Sequence, residues 1–415
     1  MEKKKEWRKL AILLASIGIA NIGDFVYLVV INIIVFDMTG SAAAVAGLWI
    51  VSPIVNICTK FWTGSFIDYR SKRAVMMVTY GFRAAFIALL PLAPNIAIIY
   101  LILVCLSVAQ SFFTPASMTY TTMLVPVEKR KRFNAIRSFC SSSAFIVGPA
   151  IGGAMILATS ISWTLWANAL FFVVAAIFLA LLPKAEKINQ ATVPKLTVAQ
   201  VAKDFTAVAA FLRNHQYITF IYVVFLLVML FSFAMDTQEV VFTQQVVGLS
   251  QVEYSLLVSI TGIGSIVGAA VLALFANHIP LRHMIGSGLL LMTAGYLMYA
   301  FSWSFWSIAA GFIVLGLFNV FVNAGMATFY QNHIPVKMMG RVTSMMQLGQ
   351  SIFQILFILA VGVMADWFSL RLTIVVLALA MAVLACLFAI SVFRPGNRPF
   401  FEDQTTNEQT GQQAR

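Results

Sequence analysis

Residues 144–157 read Ala144-Phe-Ile-Val-Gly148-Pro149-Ala-Ile-Gly152-Gly153-Ala-Met-Ile-Leu157, inside an apolar run from about 134 to 157. A run of that length can cross a bilayer as a helix. Yet it places four helix-weakening residues, Gly148, Pro149, Gly152 and Gly153, within six positions. In a soluble helix an interior proline alone costs about 3 kcal/mol. In lipid such residues are tolerated, because neighbouring helices cover freed carbonyls and small residues let backbones approach closely. The stretch therefore predicts a membrane helix in tight contact with another. The contact is either a fixed packing patch or one that separates and re-forms, as a transporter requires.

Composition extends this reading to the whole chain. Of its 415 residues, 61% are hydrophobic and only 10% charged, against about 25% charged in soluble domains. This excludes an ordinary soluble protein. Four cysteines, Cys58, Cys105, Cys140 and Cys386, lie in separate apolar segments, so no disulfide framework or metal-ligand spacing is formed. The basic start, Lys3-Lys4-Lys5-Glu-Trp7-Arg8-Lys9, resembles a signal peptide. However, the apolar run after it continues to Phe36, which predicts an uncleaved first membrane helix.

The net charge of +12 raises the question of a nucleic-acid partner, but its placement answers it. Basic residues cluster at the N-terminus, 70–73, 129–137, 184–213, 282, 337–341 and 394–415, while the alternate loops hold only Arg371. That asymmetry is the positive-inside pattern, and it predicts a cell (inner) membrane protein with both termini cytoplasmic. The charge reports topology, and no nucleic acid is expected.

Twelve spans are predicted, near 10–36, 42–66, 73–91, 95–124, 134–158, 162–182, 217–247, 252–276, 281–302, 304–331, 340–366 and 369–393. The fold class is thus an all-α integral membrane protein of twelve transmembrane helices in two six-helix halves. The halves are 1–182 and 217–393, joined by a linker, 183–216. A polar tail, 394–415, is expected to be disordered. Within the linker, Leu196, Val201, Phe205, Val208 and Phe211-Leu212 recur at helical spacing among charged residues. They predict an amphipathic helix on the cytoplasmic membrane face. Asp24 and Asp236 occupy matching places in spans one and seven, 212 positions apart. Pro126 and Pro335, each in a Val/Ile-Pro-Val loop, are 209 apart. Two matches at nearly one offset indicate a parallel repeat, which in transporters places the substrate site between the halves.

Ionisable side chains inside spans cost about 2.5–3.5 kcal/mol each on insertion scales and are functional candidates by default. Five qualify: Asp24, Lys60, Arg83, Asp236 and Glu239. Lys60 lies about 12 Å from the span end marked by Asp68, near enough to snorkel. It serves either structure or function. Arg83 lies about 15 Å deep, near the middle of a ~30 Å core, and must face a partner or water. Asp24, at comparable depth, is the expected partner. Such a carboxylate can alternate between paired and protonated states, as proton coupling requires, or form a static pair that fixes helix register.

Asp236 and Glu239, three apart, share one helix face with Gln238 beside them. Two like charges that close disfavour double ionisation, which suits proton binding; if the helix kinks there, both become cargo contacts instead. Gln347, Gln350 and Gln354 form one stripe of span eleven, and Asn319 and Asn323 one stripe of span ten. These are candidates for substrate lining or for interhelical hydrogen bonding. His215, His278, His283 and His333 are scattered near span ends, which argues against a metal site. No nucleophile constellation or phosphate-binding loop is present, so neither enzyme chemistry, a cofactor nor ATP hydrolysis by this chain is expected.

The loop after span two, Gly64-Ser-Phe-Ile-Asp68-Tyr-Arg70-Ser-Lys72-Arg73, resembles the signature of the major facilitator superfamily. The resemblance implies a close helix contact at Gly64 and a charge lock formed by Asp68, Arg70, Lys72 and Arg73. Tyr69 stands where that signature has arginine, and Ser71 where it has glycine. The opening stretch, Ala144-x-x-x-Gly148-Pro149-x-x-Gly152-Gly153, is similar to the family's antiporter motif, with alanine for its first glycine. Phe113-x-Pro115-Ala116, the segment Arg132-Phe133-Asn134-Ala135 after Pro126, and Gly340-Arg341-Val342 resemble the macrolide-efflux and enterobactin-exporter branch of drug:proton antiporters.

The expectation is a monomeric secondary transporter that exports a small amphipathic or hydrophobic compound in exchange for protons. Asp24, Arg83, Asp236 and Glu239 would couple proton movement to cargo. The alternatives are a symporter or facilitator importing a polar nutrient, and a non-transporting membrane sensor.

Overall fold

A computed structural model describes residues 2–39, 42–184, 197–276 and 278–402. Of the tail expected to be disordered, 394–415, residues 403–415 lie outside the described residues, while Pro395–Phe401 form a 3-10 helix in which Phe401 is buried. Lys195 and Leu196 of the expected amphipathic segment, and Asn277, also lie outside the described residues.

The described chain is helical throughout. Its elements are α1 (Glu2–Thr39), α2 (Ala42–Asp68), α3 (Lys72–Leu89), α4 (Ile96–Leu124), α5 (Val127–Ala158), α6 (Ile161–Ala180) and α7 (Val198–Asn214). These are followed by α8 (Gln216–Thr237), a single turn α9 (Glu239–Val241), α10 (Gln251–Phe275), α11 (Leu281–Ala300), α12 (Phe305–His333), α13 (Met339–Trp367) and α14 (Leu370–Phe393). Nine of these are both long and apolar enough to cross a membrane. The three remaining long helices, α2, α11 and α13, have 27, 20 and 29 residues. At 1.5 Å per residue each reaches across a ~30 Å core. With α2, α11 and α13 the chain has the twelve spans its sequence predicts.

Local chemistry sets the helix ends. Ser71, Asn95, Ser160 and Ser369 are N-caps whose side chains accept from backbone N–H groups three residues on. Ser250 and Glu253 form a reciprocal capping box at α10. Span seven departs from expectation. It is not one helix to residue 247: α8 stops at Thr237, and after the α9 turn a π-helical stretch, Phe242–Val246, completes it. The polar run Asp236-Thr-Gln-Glu239 lies at the break. There Thr237 Oγ1 donates to the Ala234 carbonyl and Thr243 Oγ1 to that of Glu239, in competition with regular helix hydrogen bonding.

The helices gather into two compact units. One comprises Met1–Val125, Ser143–Phe211 and Ile334–Ile352; the other comprises Pro126–Ser142, Leu212–His333 and Phe353–Arg415. In the first, α1 packs on α6, α6 on α3, α3 on α4 and α4 on α2. In the second, α8 packs on α14, α14 on α11, α11 on α12 and α12 on α10. The order of neighbours is the same, helix for helix, as a repeat requires.

The linker helix is amphipathic, but its inner stripe is spent on protein. Val201, Asp204 and Val208 are buried and Phe205 stacks on Phe61 of α2 at 5.7 Å. The sequence reading placed this stripe on the membrane surface. The carboxylate on that stripe, Asp204, finds a cationic partner in Arg341 inside the first unit.

Candidate functional site

Within the first unit, the glycine stretch of α5 lies against α1. A Cβ added at Gly148 would stand 2.5 Å from Phe25 Cβ and 3.3 Å from the Ile22 carbonyl. At Gly152 it would stand 3.5 Å from Val26 Cα, ordinary contact, and at Gly153 it would meet nothing. Ala144 is buried in the same face, with Pro149 at its edge. The close approach thus falls on one residue of the motif, Gly148.

That contact holds α1 where Asp24 can meet Arg83 of α3. The two form an ion pair through Arg83 Nη2 and Asp24 Oδ1. Arg83 Nη1 donates to Gln110 Oε1 of α4 at 3.0 Å and lies 3.5 Å from Asp24 Oδ2. The guanidinium also sits 4.3 Å over the Phe172 ring of α6. The arginine side chain is 8% exposed and the aspartate 33%. The pairing expected from depth alone is therefore present, with Gln110 and Phe172 as partners the sequence did not single out. On the same side of the bundle a cavity of about 230 Å³ opens between α1, α2, α3 and α4, and Arg83 forms part of its wall.

At the α2–α3 end of this unit a second charge cluster forms. Asp68 accepts from the backbone N–H groups of Gly340 and Arg341, at 2.8 and 3.1 Å, and from Arg341 Nε at 2.8 Å. Its carboxylate thus caps α13, where helix geometry favours negative charge. Arg341 Nη1 reaches Asp204 of α7 at 2.8 Å. Asp204 also accepts from Gln200 at 3.0 Å and from the Tyr69 hydroxyl at 3.4 Å. Burial raises the Tyr69 phenol above its usual range, with Arg341 opposing and the two carboxylates adding to the shift. It therefore stays protonated and able to donate. Gly64 permits this approach: a Cβ there would lie 2.7 Å from Arg341 Cα.

The basic residues expected beside Asp68 take other places. Arg70 lies over Phe66 at 5.5 Å, Lys72 Nζ donates to the Asp68 backbone carbonyl at 3.0 Å, and Arg73 binds the Leu182 and Ala180 carbonyls at the end of α6. Arg341 was visible only as the middle of Gly340-Arg341-Val342, and nothing in the sequence tied it to Asp68 or Asp204. Lys60 is buried, donates to the Ser111 carbonyl at 2.7 Å, and lines a crevice with Asp204 and Arg341.

In the second unit, Asp236 accepts from the Tyr296 hydroxyl at 2.9 Å, and Tyr296 also shares a hydrogen bond with Ser232. Glu239 follows the helix break, so Asp236 and Glu239 do not lie on one continuous helix face. Gln238, just before Glu239, stands at the C-cap of α8 and the N-cap of α9. On α12 the Asn323 amide donates to the Asn319 carbonyl groups of backbone and side chain, at 2.8 and 2.7 Å. On α13, Gln350 is exposed, Gln354 half-buried, and Gln347 Oε1 is buried without a hydrogen-bond partner. Asn134 of α5 donates to Thr328 and Gln331 of α12, both at 2.9 Å. Arg371, the lone cation of its loops, donates to the Ser302 carbonyl and stacks over Trp303 at 3.7 Å. Among the described residues no group of histidine, cysteine and acidic side chains could hold a metal ion.

Two units of apolar helices with the same order of neighbours, and an ion pair between spans of the first, define a multi-pass membrane protein. The chain belongs to the major facilitator superfamily, whose family model matches residues 13–353 and again 239–412. It is 23% identical over 391 residues to the uncharacterized MFS-type transporter YfiS of Bacillus subtilis (strain 168), covering 91% of this chain and 92% of that one. A 173-residue stretch is 29% identical to the multidrug efflux pump Tap of Mycobacterium tuberculosis, spanning 39% of this chain and 41% of Tap. Among solved structures, the human organic anion transporter MFSD10 (TETRAN) superposes with a TM-score of 0.75 at 14% identity, covering 93% and 99% of the two chains. A bacterial homologue of the iron transporter ferroportin, in an outward-facing state, gives 0.71 at 14% identity over 92% and 99%. At these identities the structural likeness is one of fold.

Proposed function

We propose that this transporter exports small amphipathic or hydrophobic compounds by proton antiport and alternating access, as a monomer in the cell membrane with both termini cytoplasmic. The observation that carries the reading is the Asp24–Arg83 pair, held at mid-span depth with Gln110 and Phe172 around it. A carboxylate paired there can take up a proton, which frees Arg83 and leaves its charge to be met by another group, and that switch is the elementary step of coupling. Asp236, with Tyr296 as donor, and Glu239 beyond the helix break are the corresponding groups of the second unit. The partial likeness to Tap supports the drug-efflux branch and its outward direction. The positive-inside distribution of basic residues supports the topology. The Asp68–Arg341–Asp204 cluster, with Gly64 against it, serves as the conformational lock, while Arg70, Lys72 and Arg73 hold Phe66, the Asp68 backbone carbonyl and the end of α6. Gln238, Asn319, Asn323, Gln347, Gln350 and Gln354 remain the proposed substrate lining.

Efflux from everted vesicles, with and without a pH gradient, tests the reading. Wild-type protein should accumulate cargo only with the gradient, and Asp24→Asn combined with Asp236→Asn should abolish the dependence. Undiminished gradient-driven transport by that double variant would remove the coupling claim.

A further inference from the structure

The cavity beside Arg83 has a chemistry of its own. Its polar wall consists of Tyr27, Asn32, Ser52, Arg83, Ser107 and Gln110, and the remainder is aliphatic. Asp24 is not part of the wall, so Arg83 has the aspartate as one neighbour and the cavity as another. Two buried donors carry no partner: Arg83 Nε and the Tyr27 hydroxyl. Gln110 spends its carbonyl oxygen on Arg83, which leaves its amide nitrogen as a donor. Asn32 spends its amide on the Leu28 carbonyl at 2.6 Å. The wall thus offers a guanidinium, a phenol, a carboxamide N–H and two serine hydroxyls, against the Asn32 side-chain carbonyl as acceptor, and no carboxylate. An unpaired buried donor costs about 1–3 kcal/mol, so this excess of donors is stable only where acceptors come to meet it.

We propose that this cavity binds the carboxylate head of an amphipathic organic acid, which competes with Asp24 for Arg83. The proposal rests on reading the Asp24–Arg83 pair as titratable, but not on antiport: a proton and an anion that load together are carried together, which is the step of a proton–anion symporter. Arginine presents five donors in a planar fork and binds carboxylates in pairs of hydrogen bonds. When Asp24 takes a proton, the guanidinium loses its internal counter-ion and a substrate carboxylate replaces it. One proton enters as one anion binds, and the net charge of the buried site is unchanged. At about 230 Å³ the cavity is smaller than the 300–1,000 Å³ typical of a whole drug-sized ligand, so it holds the polar head and not the entire molecule. The titratable or charged side chains about the site are Asp24 and Tyr27 of α1 and Arg83 of α3. From α2 and α4 come Ser52, Ser107 and Gln110, and from α6 Phe172, none of which titrates. Lys60 of α2 lines the separate crevice with Asp204 and Arg341.

The test is equilibrium binding to the purified full chain in lipid nanodiscs, without a gradient, using three probes of one shape: 1-naphthoate, 1-naphthamide and 1-naphthylmethylammonium. Naphthoate should bind at least tenfold tighter than the amide, more tightly as pH falls, and with uptake of a proton at pH values where Asp24 of the free protein is ionised. Asp24→Asn should keep the naphthoate preference and remove its pH dependence. Arg83→Gln should abolish the preference, and Tyr27→Phe, which strands no charge, should reduce it several-fold in a protein of unchanged melting temperature. Equal binding of the three probes, tightest binding of the ammonium, or a naphthoate preference that survives both Arg83→Gln and Tyr27→Phe would overturn the proposal. Selective naphthoate binding in a chain that shows no gradient-driven efflux would instead sink the antiport reading and leave the anion site standing.

Discussion

Arg341 holds Asp204 through Nη1 while its Nε holds Asp68, so a single guanidinium ties the linker helix α7 and the end of α2 to the first turn of α13. The two carboxylate side chains are 0% and 3% exposed. Neither α7 nor α13 could take this position with its charge unmet.

Removing that guanidinium should be costly. Breaking a buried pair by deleting one partner costs about 3–5 kcal/mol, because the other charge is left uncompensated. Arg341→Gln should therefore lower the melting temperature of the detergent-solubilised protein markedly. Asp204→Asn, which still accepts from Tyr69 and Gln200, should lower it less. Intrinsic tryptophan fluorescence during heating reads both, and an Arg341→Gln protein that melts like wild type would refute the arrangement.

The glycines of α5 should not behave alike. Gly148→Ala drives a methyl group into Phe25 and should cost about 1–3 kcal/mol, the usual penalty of overpacking. Gly153→Ala meets open space and should stay within about 0.5 kcal/mol of wild type. Gly152→Ala should fall between, and Gly152→Leu should impair transport more than folding. Melting temperatures set beside vesicle efflux decide the order; a Gly153→Ala defect as large as that of Gly148→Ala would contradict it.

Gly64→Ala presses on the backbone of Arg341 and Gly340, not on a flexible side chain. The first turn of α13 must then withdraw from Asp68, weakening the capping bonds. The expected loss is about 1–3 kcal/mol, and it should overlap with that of Asp68→Asn, so the double variant costs less than the sum. Strict additivity of the two melting shifts would show that the glycine acts elsewhere.

The Asp24–Arg83 pair should show strong coupling in a double-mutant cycle. Asp24→Asn and Arg83→Gln each strand a charge, while the double variant strands none. We expect the double variant to be more stable than either loss added to the other by at least about 1.5 kcal/mol, within the range measured for residues in one network. It should also be inactive in gradient-driven efflux. Additive single effects would mean that the ion pair contributes nothing to holding α1 and α3.

Legibility differed sharply among these residues. Asp24 and Arg83 are legible because an ionisable side chain deep in a span has few possible partners, and Asp24 lies at comparable depth in the same half. Gly148 is legible as part of a cluster, but no local pattern ranks Gly148, Gly152 and Gly153, since ranking depends on what the neighbouring helix presents at each turn. Arg341 and Tyr296 were missed as partners for a related cause. A contact 273 or 60 residues distant along the chain leaves no trace in local periodicity. The linker stripe was assigned to lipid because amphipathicity records only that one face is apolar, not what covers it.

The sequence by itself determined the class, the number of spans and the internal repeat. Apolar run length, the paucity of charge and the recurrence of Asp24 and Asp236 are properties of the chain that no packing can change. Tertiary structure alone decided which charges meet, that Asp68 caps α13 and binds Arg341, and that span seven breaks after Thr237. Those outcomes depend on distances of a few ångströms between helices far apart in sequence. At such distances a buried charge is either satisfied or costs several kcal/mol, so the packed bundle, and not the order of residues, selects its partner.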